Sequence, residues 1–544
     1  MRSCSAPQHV DGRRRIAVTR MASHPVAVLA VYRWSRLSPG GTFTCARMLE
    51  RGLPGRAWPA TRPAHKTAPS YLDLGTRVQR TSRQRPHAPD RGGAWTHFAE
   101  SNETGVLMAG PVLSSSDIPG PPPSAGGHNL RDIAEAGGLP GFQVRLHRTY
   151  GEIAHFAMPN AQVVSVASPE VLESTLDLPE CPMELAPFLT PLADAANVLL
   201  SGEQDRARWR RTVIPALSCP HRAESDHPRF IDIIEESAQR WSSTGEPVAL
   251  ERELDTLALR LMCTSVLGST PGQAAIVERV TDAFERLPEF FLGQVYGVRT
   301  TSQEPAVDSA LTTLRDVVTF LVDEVAPSDL ISAARRAGQS SKDLVNTLLA
   351  ILIGAHRTTG TVVSHALRQL MRHRDVAKRL RAELKTVLGG KAAPAFHELP
   401  CLRYLRRTLN ESVRLASPVP GIARRAPDGI ALGAYRIPAG TVVHYAIRAV
   451  HMNPRVWPRP DEFDPDRFDT APQNSRPAMA FVPFGIGRND CPGALVAMEH
   501  ALLMLAVLAH RFRFESRTAG KQGSRFSLGG PCADPVRVRP RRSR

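Results

Sequence analysis

No stretch of the 544-residue chain approaches the ~20 consecutive apolar residues that a membrane-spanning helix needs. Near the N-terminus, Pro25 to Tyr32 is apolar for only a turn or two. Paired cysteines are missing as well. The eight present (Cys4, Cys45, Cys181, Cys219, Cys263, Cys401, Cys491, Cys532) contain no Cys-x-x-Cys and no regular spacing. This argues against a disulfide framework or a cysteine-rich zinc site and suits a reducing cytosol. Internal repeats are absent too. Acidic residues are scarce at one end: residues 1–100 hold 17 Lys+Arg against 5 Asp+Glu, so +12 of the formal +16 lies there. That segment is rich in Arg, Pro, Gly and Ser and has no sustained apolar periodicity. It cannot bury enough apolar surface to offset its chain entropy, and disorder is the expectation. The rest of the chain carries only about +4, so the net charge is poor evidence for nucleic-acid binding.

What the chain does have is one cysteine in a glycine-bracketed turn. Phe481-Val-Pro-Phe484-Gly485-Ile-Gly487-Arg488-Asn489-Asp490-Cys491-Pro-Gly493 runs directly into an apolar helical stretch, Ala494 to Phe512. A sulfur that binds a metal must be deprotonated, and a helix N-terminus with free N–H groups stabilises that charge. Gly487 permits a tight turn, and Gly493 lets the helix backbone approach a flat macrocycle. A small buried hydrophobe is the plainer reading of a lone cysteine. The glycine pattern, however, resembles the cysteine loop of the cytochrome P450 family, Phe-Gly-x-Gly-x-Arg/His-x-Cys-x-Gly. The match covers Phe484, Gly485, Gly487, Cys491 and Gly493. It departs at Asn489, where the family usually has a cation. Arg488, one position earlier, is the expected replacement contact to a haem propionate.

Two upstream motifs support the resemblance. Glu411 and Arg414 in Glu-Ser-Val-Arg stand at i, i+3 on one helix face. As an isolated pair they would be a commonplace of helix surfaces. Further on, Trp457-Pro-Arg-Pro-Asp-Glu-Phe463-Asp-Pro465-Asp-Arg467-Phe468 is similar to the family segment whose arginine joins that pair. The resemblance implies a buried structural cluster of Glu411, Arg414 and Arg467 that locks the cysteine loop. Between them, Arg424 to Val443 reads as a hairpin, with turns at Pro427-Asp-Gly429 and Pro438-Ala-Gly440. Arg424 falls where the family places an arginine on a haem propionate; a solvated strand residue is the equal alternative. His451 matches a recurrent family histidine and is expected to be structural.

The apolar run Leu344 to Met371 has helical periodicity, interrupted at Gly354-Ala-His-Arg357-Thr358-Thr359-Gly360. A threonine hydroxyl here can bond back to a helix carbonyl and open a kink. The resemblance makes Thr358, with Thr359 beside it, the alcohol of a proton-delivery pair. Arg357 occupies the position of the family's acid, and a guanidinium stays protonated, so it can orient water or bind an anion but cannot shuttle a proton. In the basic stretch Gly202 to Leu217, Arg206 and Arg210 have the four-residue spacing of a family helix that contacts propionates. A solvated basic face, or one that meets an acidic electron donor, is the alternative.

The resemblance implies a mainly α fold with a small β region and haem between two helices. Helices are expected at Phe230–Trp241, Leu250–Leu267, Ala275–Arg286, Ala310–Val325, Leu344–Arg372, Val376–Leu388, Tyr404–Leu415 and Ala494–Phe512, with strands at 151–166 and 421–448. It begins near Pro119–Pro123, dividing the chain into an Arg/Pro-rich extension, 1–118, and a catalytic domain, 119–544. The extension reads best as upstream sequence misassigned to the gene, rather than as a basic arm or transit peptide. The implied cofactor is heme b, its iron held axially by the Cys491 thiolate. The implied activity is a monooxygenase inserting one oxygen atom from O2 into a small apolar substrate, with electrons from a ferredoxin- or flavoprotein-type donor. No nucleic-acid partner or transmembrane anchor is implied, and a cytoplasmic monomer is expected. Two alternatives stay open: a peroxide-driven peroxygenase, suggested by Arg357, and a non-catalytic haem-binding homologue, suggested by Asn489 and Arg357. Residues 175–200, 285–305 and 416–423 are expected to line the substrate pocket.

Overall fold

The computed structural model describes residues 113–544, except 125, 160, 176–180, 183–209, 212, 269–272, 286–304, 325–328, 356, 427–428, 470–474, 486–489, 517–534 and 542–544. Six helices carry the functional argument: α1 (Pro220–Ser243), α2 (Leu250–Leu267), α3 (Ser341–Ala355), α4 (Thr358–Arg372), α5 (Arg403–Leu415) and α6 (Ala494–Arg511). Leu250, Leu254, Leu257 and Leu261 recur at i+3 and i+4 on a buried face of α2 that widens until every residue from Leu261 to Leu267 is buried. α6 is different: it is buried along nearly its whole length, from Ala494 to Ala509. It is the one described helix apolar and long enough to cross a membrane. That corrects the expectation that no stretch comes near spanning length, but its burial makes it the central helix of the core.

Two apolar clusters share these helices. In the larger one, Trp241 of α1, Leu254 of α2, Val363 of α4, Leu405 and Leu409 of α5 and Leu502 and Leu505 of α6 pack together. The second joins α2 and α3 to the helices Gln273–Glu285, Pro305–Glu324 and Asp329–Arg336, and reaches Val496 at the start of α6. The short helix Asp329–Arg336 is an element the sequence pattern did not single out.

The β region is small. Strands β1 (Ile153–Met158), β2 (Ala161–Val166), β3 (Ile422–Arg425) and β6 (Val442–Tyr445) form a sheet in the order β1-β2-β6-β3, with Cys181–Pro182 beyond β3. Within this sheet only the β2–β6 pairing is parallel. β4 (Ile430–Leu432) and β5 (Tyr435–Ile437) form a separate hairpin. Its turn contains Gly433 at φ +58°, a conformation glycine adopts without strain. The expected hairpin over 424–443 closes at its ends, where Arg424 stands opposite Val443 in the antiparallel β3–β6 pairing, and the β4–β5 hairpin is inserted between its two turns.

Two further boundaries shift. Leu113–Ser114 pairs in parallel with β5, and Ile118 is only 2% exposed, so the fold starts ahead of Pro119. The expected helix Leu344–Arg372 is two helices, α3 and α4, separated at Arg357, whose φ is +68°.

Candidate active site

The cysteine loop is fastened from both ends. Val482 N–H donates to His451 Nε2 at 3.0 Å, Gly485 turns the chain with φ +81°, and Cys491 N–H donates to Phe484 O at 2.8 Å. Gly493 then caps α6, its carbonyl accepting from Ala497 N–H at 2.9 Å. A side chain at Gly493 would have its Cβ 3.9 Å from Cys491 Sγ, so the glycine leaves the space beside the sulfur open. Cys491 is half-buried. Burial pushes its thiol up; the Gly493 amide and Arg210 oppose this, and Asp490 adds to it. Of the expected loop residues, Gly487, Arg488 and Asn489 lie outside the described residues, so the described turn glycine is Gly485.

Asp490, next to the cysteine, is 1% exposed and was not anticipated as a site residue. Arg210 donates through Nη1 to its carbonyl at 2.8 Å, and through Nη2 forms an ion pair with its carboxylate. Burial raises the Asp490 carboxyl, and Arg210 opposes that rise. The sequence offered a haem propionate, solvent or a redox donor as Arg210's partner; the structure supplies a carboxylate of the protein. Arg206 lies outside the described residues.

Glu411, Arg414 and Arg467 do come together. Arg414 donates to both oxygens of Glu411 at 2.7 and 2.8 Å, and its remaining donors reach the carbonyls of His451, Pro460 and Glu462. Arg467 Nε lies 3.3 Å from Glu411 Oε1, and Arg467 Nη2 bonds to Arg459 O at 2.7 Å. Glu411 and Arg414 have no exposed surface. Burial raises the Glu411 carboxyl, and hydrogen bonding and charge from Arg414 oppose that rise. The cluster faces the cysteine loop through His451. This histidine accepts at Nε2 from Val482 N–H, so the neutral ring carries its proton on Nδ1, 2.9 Å from Ser417 Oγ.

At the α3–α4 break, Thr358 Oγ1 donates to Gly354 O at 3.1 Å and lies 3.4 Å from Ala355 O, the back-bond the sequence suggests. Thr358 is half-buried, whereas Thr359 turns inward and is 6% exposed. Arg357 Nε points to Asp255 Oδ2 of α2 at 3.4 Å. Asp255 is buried and seated on Gly360: a Cβ at Gly360 would stand 2.2 Å from its Oδ1 and 2.6 Å from its backbone N. Asp255 was also missed. It is one of three carboxylates in α2, with Glu251 and Glu253, and nothing local singles it out.

α4 and α6 pack on one another through Val362, Val363, Ala366, Leu502 and Leu505, so Thr358 and Cys491 begin helices that share one core cluster. Arg424 on β3 is 8% exposed, its guanidinium 5.3 Å from the Tyr445 ring. Of the expected pocket segments, 416–423 is described and presents Val419 at 47% exposure, while the other two fall largely outside the described residues. One thiol at a helix start with open space beside it, a buried arginine and a broken helix bearing a hydroxyl fit a thiolate-bound haem.

Comparison with known proteins agrees with that fit. The family model described as "Cytochrome P450" matches residues 295–528. The cyclooctat-9-en-7-ol 5-monooxygenase of Streptomyces melanosporofaciens is 28% identical over 337 residues, 58% of this chain and 72% of that protein. The putative cytochrome P450 137 of Mycobacterium tuberculosis is 28% identical over 401 residues, 68% of this chain and 79% of its own. The crystal structure of an engineered cytochrome P450DA haem domain superposes with a TM-score of 0.68 at 21% identity, over 78% of this chain and 98% of that one.

Proposed function

The chain belongs to the cytochrome P450 family, and on that premise we propose that it holds heme b through Cys491 and inserts one oxygen atom from O2 into a small apolar substrate. The observation that carries the reading is the placement of Cys491: a single sulfur, fastened by Phe484 O, at the start of the buried helix α6. Bound haem supplies the redox and oxygen-transfer chemistry, favoured by electron donation from the thiolate. The chain's own residues do the rest. Cys491 supplies the ligand, Arg424 a buried cation for a propionate, and the Glu411–Arg414–Arg467 cluster the rigid support behind the loop. Thr358 holds and passes a proton at Oγ1, its hydroxyl poised over the opened turn of α3. Apolar residues around α4 and the 416–423 segment bind the substrate and keep bulk water out. The relative that oxygenates cyclooctat-9-en-7-ol supports an apolar organic substrate.

The electron donor in this reading is a ferredoxin- or flavoprotein-type partner, and the enzyme is a cytoplasmic monomer to which residues 1–118 contribute no catalytic group. The Arg357–Asp255 pair favours the O2-driven reaction over the peroxygenase alternative, because the guanidinium already has a carboxylate of the protein for a partner. The test is a difference spectrum of the reduced, carbon monoxide-treated protein. A red-shifted Soret band that Cys491→Ala abolishes is expected; a band at the shorter wavelength of neutral-ligand haem would refute thiolate ligation. Incorporation of label from 18O2, with no turnover on peroxide alone, separates the two reactions.

A further inference from the structure

Asp490 and Arg210 are 280 residues apart in sequence, yet they make two contacts directly beside the cysteine. Three features distinguish this pair from the surface ion pairs of the molecule. The carboxylate is 1% exposed and the guanidinium side chain 17%, so neither is well solvated. The arginine also holds the Asp490 main-chain carbonyl, so it grips the backbone that leads into Cys491. It stands in the helical residues 210–211, just ahead of helical 213–217, whose Val213 and Leu217 are buried in the cluster that contains Val496 of α6. Both ends of the contact are therefore anchored in one piece of core.

An anionic carboxylate adjoining an anionic sulfur is unfavourable in a poorly solvated loop unless a cation neutralises one of them. We propose that Arg210 is a positioning residue for Cys491, acting through Asp490: it clamps the loop by its backbone and cancels the charge of the neighbouring carboxylate. This rests on Cys491 being the haem ligand, and it makes Arg210 a latch on the cysteine loop. It also makes Asp490, a residue that the cysteine-loop pattern does not specify, a part of this chain's own site.

The test is a double-mutant cycle in the full-length chain with Arg210→Ala, Asp490→Ala and the double variant, read in two ways. On the haem-free protein, thermal melting measures the pair itself. Each single variant is expected to melt several degrees lower, and the double variant about as low as the worse single, because the second loss removes nothing more. On the haem-loaded protein, the ratio of red-shifted to short-wavelength carbon monoxide band measures the consequence for the cysteine. Arg210→Ala is expected to lower it roughly tenfold or more, the scale of a buried charge left without its partner, and the double variant to recover most of it. Asp490→Asn, which keeps the carbonyl contact and removes the charge, should hold the wild-type ratio and raise the reduction potential. Additive melting losses would overturn the clamp. A band ratio that Asp490→Ala fails to rescue in the Arg210→Ala background would return Arg210 to a direct haem contact. A wild-type protein with no red-shifted band would instead refute the ligand assignment, and the melting cycle would still decide the pair.

Discussion

Arg414 has five N–H groups, and each finds an acceptor: two on Glu411 and three on main-chain carbonyls at 451, 460 and 462. A lysine has one charged head and no planar fork, so Arg414→Lys leaves part of Glu411 unpaired in a fully buried position. The expected loss is about 3–5 kcal/mol, visible as a lowered melting temperature and poor haem retention. A variant that melts like wild type would remove the cluster from the account. At Thr358 the argument concerns the hydroxyl. Thr358→Ala removes the proton carrier while leaving the core untouched, so electron consumption should continue as product per electron falls and hydrogen peroxide rises. Thr358→Ser should restore coupling. An alanine variant with unchanged coupling would count against the role. The Glu411–Arg414–Arg467 set was legible in the sequence because helical spacing and a distinctive downstream segment mark its members. Asp490 and Asp255 were not, because their partners lie 280 and 102 residues away and no local pattern announces such pairs.

At the scale of elements, the break between α3 and α4 shows how far pattern reading reaches. Apolar periodicity continues across residues 344–371, so the sequence gives helix throughout and marks only a Gly–Thr interruption. The separation into two helices comes from outside that stretch. Asp255 of α2 presses against Gly360, holds Arg357 in its left-handed conformation and lets the Thr358 hydroxyl take carbonyls that the ladder would otherwise use. Gly360→Ala should be severe, since the new methyl meets the Asp255 backbone as well as its side chain and neither helix can yield without opening the core. Overpacking of this kind costs about 1–3 kcal/mol or more. Thermal melting with Gly354→Ala as the control is the check, because nothing lies within 4 Å of a Cβ at Gly354. Equal melting of the two variants would mean that α2 and α4 have slack at this crossing. The hairpin inserted between β3 and β6 was not legible in the sequence for a related reason. Turn signals at Gly429 and Gly440 are real, with φ +81° and +80°, but a turn does not say which strand comes back to which. β6 takes β3 on one edge and, on the other, β2 in parallel, with Val163 opposite Val442.

For the whole molecule, the core is helical and apolar but crossed by neutral histidines. His444 bonds to Gln143, His451 bridges Ser417 and Val482, and His500 meets Ser265; all three are at most 3% exposed. Burial pulls them down to about 4, 3 and 4 respectively, with Arg414 and Arg448 adding to the shift at His451 and His147 at His444. In the unfolded chain each titrates near the ordinary histidine value, so between about pH 6.5 and pH 4 the unfolded state binds more protons. Stability therefore falls as pH drops through that window, by roughly 3 kcal/mol or more for each group at its lower end. Glu499 works the other way. Burial lifts its carboxyl to about 7 against the opposing charge of Arg406, so the folded state favours its protonated form and loses stability as pH rises from about 4.5 through 7. Three histidines outweigh one carboxylate, and the melting temperature of the full-length chain should fall steadily from pH 7 to pH 4.5. His451→Gln, which keeps an amide to bridge Ser417 and Val482 but cannot take up a proton, should flatten that slope. A wild-type protein that melts higher at pH 5 than at pH 7 would show that Glu499, and not the buried histidines, governs the acid response.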